Sequence, residues 1–383
     1  MSERASRFQR FILPGLAFKA VVIGGGYATG RELAEFFFPA GPAGGLLGLA
    51  LTAVLWSLIC ALTFMFAWQT RSHDYRTFFY SLLGPFWRAF EFVYVFFILL
   101  ILAVFGAAAG AIAEAMLGWP QWSGSLVLAL SILAVVSFGN ESVERLFKYA
   151  SVFLYLVYFA FAVLALSAFG DGIAPVLRAE PSVGGWFSSG LTYAGYNVVG
   201  AVIILPVVRH FTNRRDAAAA GLLCGPLAAL PAFVFFTCMI AFYPQIAGEA
   251  LPSNFILERL DAPHFHIVFQ LMIFVALLET SAGAVNALNE RIAGVLARRG
   301  RSFPPRGRFA ASACLLVIAM VVATHFGLIA LIATGYRTLA FAILGVFVLP
   351  LATLGVYRLV KKHGRVCRTA PANPGDTENG KPS

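Results

Sequence analysis

Charged residues are scarce in this chain. Asp, Glu, Lys and Arg make up 12% of its 383 residues, against about 25% in an ordinary soluble domain. Acidic residues are the scarcer sign, with only 18 in the chain. Hydrophobic residues reach 60%, and the mean hydropathy is +0.81. This composition excludes an ordinary soluble domain and predicts an integral membrane protein with lipid around it.

Cysteine is also rare, and its pattern indicates no site. The five cysteines are scattered, four of them inside apolar runs, with no disulfide or metal-ligand spacing. The chain also lacks HExxH and GxSxG motifs, paired catalytic carboxylates at a useful spacing, and a P-loop. We therefore expect no enzyme activity, no cofactor, no transition metal and no ATP-driven transport. The cysteines are Cys60, Cys224, Cys238, Cys314 and Cys367.

Ten stretches are apolar enough to cross a membrane, which takes about 20 residues each. We expect the spans at about residues 11–38, 43–68, 86–117, 121–139, 146–169, 186–208, 216–243, 263–297, 308–326 and 335–360. Residues 1–10 then form a tail, residues 11–360 the transporter domain, and residues 361–383 a basic and then disordered tail.

Positive charge gives these spans an orientation, because cytoplasmic connections are enriched in Lys and Arg. With the N-terminus in the cytoplasm, all but five of the 28 Lys and Arg residues lie on the cytoplasmic side. The exceptions are Lys19, Arg31, Arg178, Arg259 and Arg337. We predict a bacterial-type cytoplasmic (inner) membrane protein with both termini in the cytoplasm. Since the net charge of +10 follows topology, nucleic acid is not expected as a partner.

Ten spans divide into two sets of five that cross in opposite senses, which is an inverted repeat of about residues 11–169 and 186–360. The first span of each set is interrupted. Ile23–Glu32 holds four glycines and an Arg-Glu pair, and Ser188–Gly200 holds glycines and an Asn. Matched interruptions indicate a binding site near the middle of the membrane. The alternative is that the glycines only allow close helix packing.

These features resemble the LeuT-type five-plus-five fold of the amino acid–polyamine–organocation superfamily, and within it the uncharacterised YkvI-like bacterial membrane proteins. The resemblance covers about residues 10–360 and implies an all-α protein of ten transmembrane helices, with the first and sixth broken. The segments that carry it are Gly24–Gly30, Gly195-Tyr196-Asn197 and Glu279-Thr280-Ser281.

The resemblance also implies an ion site between the first and eighth spans. In sodium-coupled relatives, main-chain oxygens and a Thr-Ser hydroxyl pair hold Na⁺. The corresponding groups here are the main-chain oxygens of Gly24, Tyr27 and Leu277 and the hydroxyls of Thr280 and Ser281. Alternatively, both hydroxyls bond to carbonyl oxygens one turn earlier in their own helix.

A solute site is expected where the interrupted spans meet. Half-helix N-termini present N–H groups to a carboxylate, the sixth span supplies hydrogen-bonding groups, and the third span supplies an apolar wall. The candidates are Gly25, Gly26, Thr29, Gly30, Arg31, Phe97, Phe105, Tyr193, Gly195, Tyr196 and Asn197.

Arg31 has two open interpretations. Its guanidinium fork fits a carboxylate of the solute, or it pairs with Glu32 or Glu35. In either case a fixed positive charge beside the break opposes a second sodium site there.

Lys19 and Glu279 each lie well inside a predicted span, where an unpaired charge costs about 2.5–3.5 kcal/mol on insertion scales. The first and eighth spans are neighbours in the resembled fold, so we expect both residues to face one cavity. They are candidates for proton coupling, and a static ion pair is the alternative.

Together these patterns predict a secondary active transporter of a small organic solute, an amino acid or related zwitterion, coupled to Na⁺ or H⁺ by alternating access. Its expected partners are that solute and membrane lipid. A non-transporting sensor or scaffold on the same fold and a passive channel stay open, as do the solute, the direction of transport and the oligomeric state.

Overall fold

The computed structural model describes residues 6–137, 140–179, 184–297 and 299–361, and only the backbone for residues 140–152. The described chain is helical throughout and contains no strand, which confirms the predicted all-α class. The helices are α1 (Leu13–Val22), α2 (Gly25–Ala28), α3 (Arg31–Phe37), α4 (Gly41–Thr70), α5 (Tyr75–Leu83), α6 (Trp87–Leu117), α7 (Gln121–Ser137), α8 (Asn140–Phe169), α9 (Ile173–Ala179), α10 (Trp186–Asn197), α11 (Gly200–Ile203), α12 (Arg214–Ile240), α13 (Pro252–Arg259), α14 (Pro263–Ala297), α15 (Pro305–Ala330) and α16 (Arg337–Ile343).

Six helical stretches among the described residues are long and apolar enough to cross a membrane, so the chain is a multi-pass membrane protein. They are Arg31–Thr70, Tyr75–Leu117, Phe153–Ala179, Arg214–Ile240, Pro263–Ala297 and Pro305–Lys361.

Helical stretches and predicted spans do not correspond one to one. Pro305–Lys361 has 57 residues, about 85 Å at 1.5 Å per residue, whereas the hydrocarbon core is about 30 Å thick. It is interrupted at Gly327, whose φ of 73° and ψ of 167° are not helical. Conversely, the predicted first span is divided among α1, α2 and α3, and none of them alone is long enough to cross. A count of uninterrupted helices therefore differs from a count of crossings.

The long helices pack in two groups. The first group contains α4 and α12, which lie side by side, with α1 against α12 and α10 against α4. The second group contains α6, α7, α8, α14 and α15. The short helix α2 packs against α6 and α14 of the second group, whereas α1 belongs to the first. The segment between α1 and α2 therefore joins the two groups.

Small residues bring α4 and α12 into close contact. A Cβ added at Gly221 would overlap with the backbone of Ala61, and one added at Gly225 would overlap with the carbonyl oxygen of Ala53. The Ser57 hydroxyl donates to the carbonyl oxygen of Leu222 on α12 at 2.8 Å. Helices surrounded by lipid associate through this kind of close approach, because lipid provides no hydrophobic force between them.

The predicted sixth span differs from expectation. We expected unwound backbone within Ser188–Gly200, but α10 is helical from Trp186 to Asn197. At Val198 and Val199 the dihedral angles stay near helical values, and the turn only tightens, with the N–H of Ala201 donating to the Val198 carbonyl at 3.0 Å.

Close packing explains the glycines of α10. A Cβ at Gly190 would lie 2.6 Å from the carbonyl oxygen of Gly48 on α4, and one at Gly195 would lie 3.0 Å from the Leu344 side chain. The hydroxyl of Thr52 also donates to the Gly190 carbonyl at 3.1 Å. The packing alternative therefore holds for Gly190 and Gly195.

Gly225→Ala is expected to lower the free energy of unfolding by about 1–3 kcal/mol, the usual cost of overpacking, because backbone atoms of α4 cannot move aside cheaply. The measurement is the melting temperature of the purified protein in detergent. Gly294→Ala is the matched control, since an added Cβ there meets nothing within 4 Å. Equal melting temperatures for the two variants would contradict the packing of α4 on α12.

Candidate functional site

The backbone of the predicted first span leaves helical geometry at two points. Ile23 has a ψ of 74°, and the N–H of Gly24 donates to the Val22 carbonyl at 2.9 Å instead of continuing the helix. Gly30 has a φ of 80°, in the left-handed region that favours glycine. A Cβ at Gly30 would also lie 2.9 Å from the Phe235 ring. The four residues of α2 are thus a separate turn between α1 and α3.

Thr29 connects this turn to a covering helix. Its hydroxyl donates to the Gly26 carbonyl at 2.8 Å, and its own carbonyl accepts from the N–H of Ser253, at the start of α13, at 2.9 Å. The carbonyl groups of Gly26 and Thr29 are therefore satisfied within the protein, as hydrocarbon surroundings require.

Arg31 faces residues 247–249, which precede α13 and are called the covering segment below, and not the centre of the protein. Its guanidinium pairs with the carboxylate of Glu35 and donates to the carbonyl oxygens of Ala247 at 2.8 Å and Glu249 at 2.9 Å. Of the two expected uses of Arg31, pairing with Glu35 is the one that the geometry shows. A solute carboxylate would have to compete with three acceptors.

Glu32 was expected only as an alternative partner of Arg31, yet it occupies the centre of the site. Its side chain is 4% exposed, and the Tyr196 hydroxyl donates to its Oε2 at 2.5 Å. Its Oε1 lies so close to Gly26 that a Cβ there would overlap with it. The carboxyl group therefore connects the interruption of the first span with α10. An acidic residue directly after a glycine break was the available signal.

Tyrosines surround this carboxyl group. Tyr193 and Tyr196 of α10 lie with ring centroids 5.5 Å apart, and Tyr336 stacks on Tyr196 at 4.5 Å. Tyr27 of α2 and Tyr158 of α8 belong to the same set, and their ring centroids are 6.2 Å apart. The hydroxyls of Tyr27, Tyr158 and Tyr193 are buried and have no hydrogen bond of ordinary geometry within the described residues. This set of five side chains is called the tyrosine cluster below.

The remaining solute candidates are only partly brought together. The Asn197 side chain donates to the Tyr193 carbonyl of its own helix at 3.2 Å. Phe105 covers the interruption, 3.0 Å from a Cβ added at Gly24. Phe97 packs on Tyr94, 5.9 Å between centroids, and no contact places it in the tyrosine cluster. Free N–H groups were expected at Val198–Gly200, the start of a half-helix, but the N–H of Val198 donates to the Ala194 carbonyl at 3.0 Å.

The hydroxyls of Thr280 and Ser281, which belong to the expected ion site, differ in their hydrogen bonding. Thr280 donates to the Ala276 carbonyl of its own helix at 3.0 Å, as in the alternative interpretation. Ser281 is fully buried, and its Oγ has no partner among the described residues. The carbonyl oxygens of Gly24 and Tyr27 each accept one main-chain hydrogen bond, which leaves each oxygen a second lone pair. Since α2 packs on α14, these oxygens and Ser281 belong to adjoining elements.

Lys19 and Glu279 both lie beside Tyr155 of α8. The Lys19 ammonium lies 3.9 Å from the centroid of the Tyr155 ring, and Glu279 interacts with the same tyrosine electrostatically. Tyr155 is 37% exposed on the outer surface of the helices. Both charges therefore act on an exposed ring outside the tyrosine cluster, and that they face one cavity stays a prediction.

Two cavities reach the α10–α11 segment, which carries Tyr196, at different points. One, of about 460 Å³, lies between α5, α6 and α14 and reaches Val202 of α11. The other, of about 320 Å³, lies beside α3 and reaches Thr192 of α10. Tyr196 lies between Thr192 and Val202 along the chain, and neither Glu32 nor Tyr196 lines either cavity.

The larger cavity contains a buried arginine. The guanidinium of Arg291 lies 3.9 Å and 3.8 Å from the ring centroids of Tyr75 and Tyr94, which stack on each other's faces 6.0 Å apart. It also pairs with Glu91 at 3.4 Å. This group fastens α5 and α6 to α14 where the cavity opens.

The chain has an interrupted helix that joins two packed groups of helices beside a buried polar centre, and solved structures of the LeuT-type transporter fold match it. The crystal structure of MhsT in complex with L-phenylalanine aligns over 94% of this chain and 98% of its own, with a TM-score of 0.59 and 15% identity. The substrate-bound outward-open state of a Na⁺-coupled sialic acid symporter aligns over 92% and 82%, with a TM-score of 0.59 and 11% identity. A manganese transporter of Eremococcus coleocola, solved as a point mutant, aligns over 92% and 82%, with a TM-score of 0.51 and 15% identity.

In sequence, the chain is similar to the uncharacterised membrane protein YkvI of Bacillus subtilis (strain 168), at 24% identity over 281 residues, which are 72% of this chain and 79% of YkvI. No family model matches the chain. The resemblance inferred from the sequence is thereby confirmed. The solved structures that share the fold are transporters and not enzymes, in agreement with the expected absence of enzyme activity.

Gly26→Ala is expected to destabilise the protein because the new Cβ overlaps with the Glu32 carboxyl group. The cost is about 1–3 kcal/mol, measured as a lower melting temperature in detergent. In the double variant Gly26→Ala/Glu32→Ala the overlap is absent, so part of that cost should be recovered as a coupling energy. Additive effects of the two substitutions would contradict the observed position of the carboxyl group.

Proposed function

We propose that this chain is a secondary active transporter that moves a small organic solute by alternating access. The observation that carries the proposal is the buried Glu32–Tyr196 contact, because Tyr196 lies along the chain between Thr192 and Val202, which line two different cavities. In the proposal this contact is the barrier between them. A carrier needs such a barrier, since its central site must open to one side at a time. The transporter fold supports the same conclusion, although a fold by itself does not define a function.

In this proposal the chain crosses the cytoplasmic membrane ten times, with both termini inside. Repeat one covers about residues 11–169 and repeat two about residues 186–360. The interruptions at Ile23 and Gly30 allow α1, α2 and α3 to form one crossing, and the interruption at Gly327 allows Pro305–Lys361 to form two. The larger cavity, beside the basic residues Arg76 and Arg291, then faces the cytoplasm.

An amino acid or related zwitterion is the proposed solute. The tyrosine cluster offers aromatic faces and the buried hydroxyl of Tyr193, which has no hydrogen bond of ordinary geometry within the described part of the chain. Buried hydroxyls of this kind are the groups that orient a small polar ligand. The structural neighbour MhsT is known in complex with L-phenylalanine, and another neighbour is a sialic acid symporter. Gly26 and Tyr196 are the proposed contacts from the two facing spans.

Sodium is one candidate for the coupling ion. A hard cation prefers oxygen ligands, and Ser281 offers an unused buried hydroxyl beside the interruption. The Thr280 hydroxyl would have to release the Ala276 carbonyl to join it. A Na⁺-coupled neighbour supports this assignment. The proton is the other candidate, with Lys19 and Glu279 as the groups expected from sequence.

A solute that binds the native state must raise the melting temperature, by an amount that corresponds to about 2.7 kcal/mol at 100 times its Kd. We expect at least one standard L-amino acid to stabilise the detergent-purified protein. The measurement compares Na⁺ buffer with choline buffer for each amino acid. If Na⁺ is the coupling ion, the shift needs Na⁺ and is lost in Ser281→Ala.

The matched control is Ser131→Ala, whose hydroxyl only donates to the Val127 carbonyl on an exposed face of α7. It should keep the full shift. A shift that is equal in choline and in Ser281→Ala would reject the sodium site. Binding without any uptake into proteoliposomes would reject the transporter proposal in favour of a sensor or scaffold.

A further inference from the structure

Glu32 is a buried carboxyl group without a cation. Within the described residues, no Lys, Arg or His lies in ion-pair range of it, and the neighbouring Arg31 is bound to Glu35 and to two carbonyl oxygens. The only hydrogen bond that it accepts there comes from Tyr196. Its other oxygen, Oε1, receives no donor in the same part of the chain.

The elements packed against Glu32 bring hydroxyl groups to it. The titratable groups that interact with it are hydroxyls of the tyrosine cluster: Tyr27 from α2, Tyr193 and Tyr196 from α10, and Tyr336 from the segment before α16. On its own helix only Arg31 and Glu35 are charged, and they neutralise each other. Among the described side chains, no positive charge therefore stabilises an ionised Glu32 in this conformation.

An ionised carboxylate that is removed from water needs a countercharge or several donors, and otherwise it takes up a proton. With one tyrosine donor, Glu32 meets neither condition while the barrier is closed. When the barrier opens to either cavity, water reaches the carboxyl group and ionisation becomes favourable. The protonation state of Glu32 is therefore linked to the state of the barrier.

We propose that Glu32 is the proton-binding site of the transport cycle, so that H⁺ is the coupling ion. The carboxylate takes a proton from water on the side to which the site is open and becomes a neutral acid. It crosses the closed state in that form, with Tyr196 still donating to Oε2. It then releases the proton to water on the other side. The proposal deepens the proposed function and rests on it.

Lys19 and Glu279 are less suitable for this role. They lie beside the exposed ring of Tyr155, outside the tyrosine cluster. Neither residue lines either of the two described cavities. In the proposed cycle Glu32 lies at the barrier, so its access to water changes with every opening.

The first experiment detects the proton directly, without a solute. Infrared spectra of the full-length protein in lipid, recorded across a pH titration, should show the C=O stretch of a buried carboxylic acid. This band should be absent in Glu32→Gln and present in Glu114→Gln, whose carboxylate lies exposed at the end of α6 and accepts from Gln121. An identical band in Glu32→Gln, or no acid band in the native protein at any pH, would overturn the proposal.

Tyr196→Phe provides a second variant if Glu32→Gln does not fold. The phenylalanine ring should occupy the place of the tyrosine ring, but without a hydroxyl it cannot donate a hydrogen bond to Oε2 of Glu32. The carboxylic acid band should then shift to higher frequency, because a hydrogen bond to the C=O group lowers its stretching frequency. An unshifted band would assign the proton to another carboxyl group.

The second experiment uses proteoliposomes loaded with a pH-sensitive dye. An external mixture of the standard L-amino acids should acidify the lumen with the native protein and not with Glu32→Gln. Glu32→Gln should still exchange radiolabelled amino acids across the membrane at equal pH, because exchange needs no net proton movement. Exchange without proton flux in the native protein would overturn this inference and leave the transporter proposal intact. Absence of exchange in the native protein would instead count against the transporter proposal, and the infrared result would still decide whether Glu32 holds a proton.

Discussion

Interrupted backbone inside a membrane has to be enclosed by protein, and this requirement organises the structure. Lipid offers no hydrogen-bonding group, so unpaired polar backbone is tolerated only where other elements cover it. Here α6 and α14 cover α2, and the first turn of α13 donates a hydrogen bond to the carbonyl oxygen of Thr29. The close approach of α4 and α12 through Gly221 and Gly225 holds the helices beneath this cover in place. Without that enclosure, an open turn between α1 and α3 would be too costly to keep.

The two charged residues after the interruption separate because of helix geometry. Residues one position apart project about 100° apart on a helix, whereas residues four apart share a face. Arg31 therefore meets Glu35 and the carbonyl oxygens of the covering segment. The Glu32 side chain points in a different direction, into the tyrosine cluster, where it accepts a hydrogen bond from the Tyr196 hydroxyl. The positive charge that is nearest in sequence is thus unavailable to the buried carboxyl group.

Sequence reasoning reached the membrane class, the helical fold and the place of the first interruption, because each depends on local composition. It predicted unwound backbone within Ser188–Gly200, whereas α10 is helical to Asn197 and only a tight turn at Val198 and Val199 separates it from α11. A glycine permits either unwinding or close packing, and the deciding neighbour of Gly195, Leu344, is distant in sequence. It also missed the central position of Glu32, because two adjacent residues of opposite charge are readily interpreted as an ion pair. Only the i,i+4 spacing of Arg31 and Glu35 indicated the ion pair that forms. The difference in hydrogen bonding between the Thr280 and Ser281 hydroxyls depends on side-chain rotation, which no sequence pattern specifies.

The barrier between the cavities draws on both groups of helices. Glu32 and Tyr196 lie on α3 and α10, which pack with α4 in the first group. Tyr336, which stacks on Tyr196, follows α15; its segment packs against α15 and α6 of the second group and also against α3 and α16. Because α16 in turn packs on α10, both groups hold the ring that stacks on Tyr196, and a displacement of one group against the other would strain this stack. In the proposed cycle, water that enters there reaches the carboxyl group, so the neutral acid is the form that crosses and the charged form is confined to hydrated states.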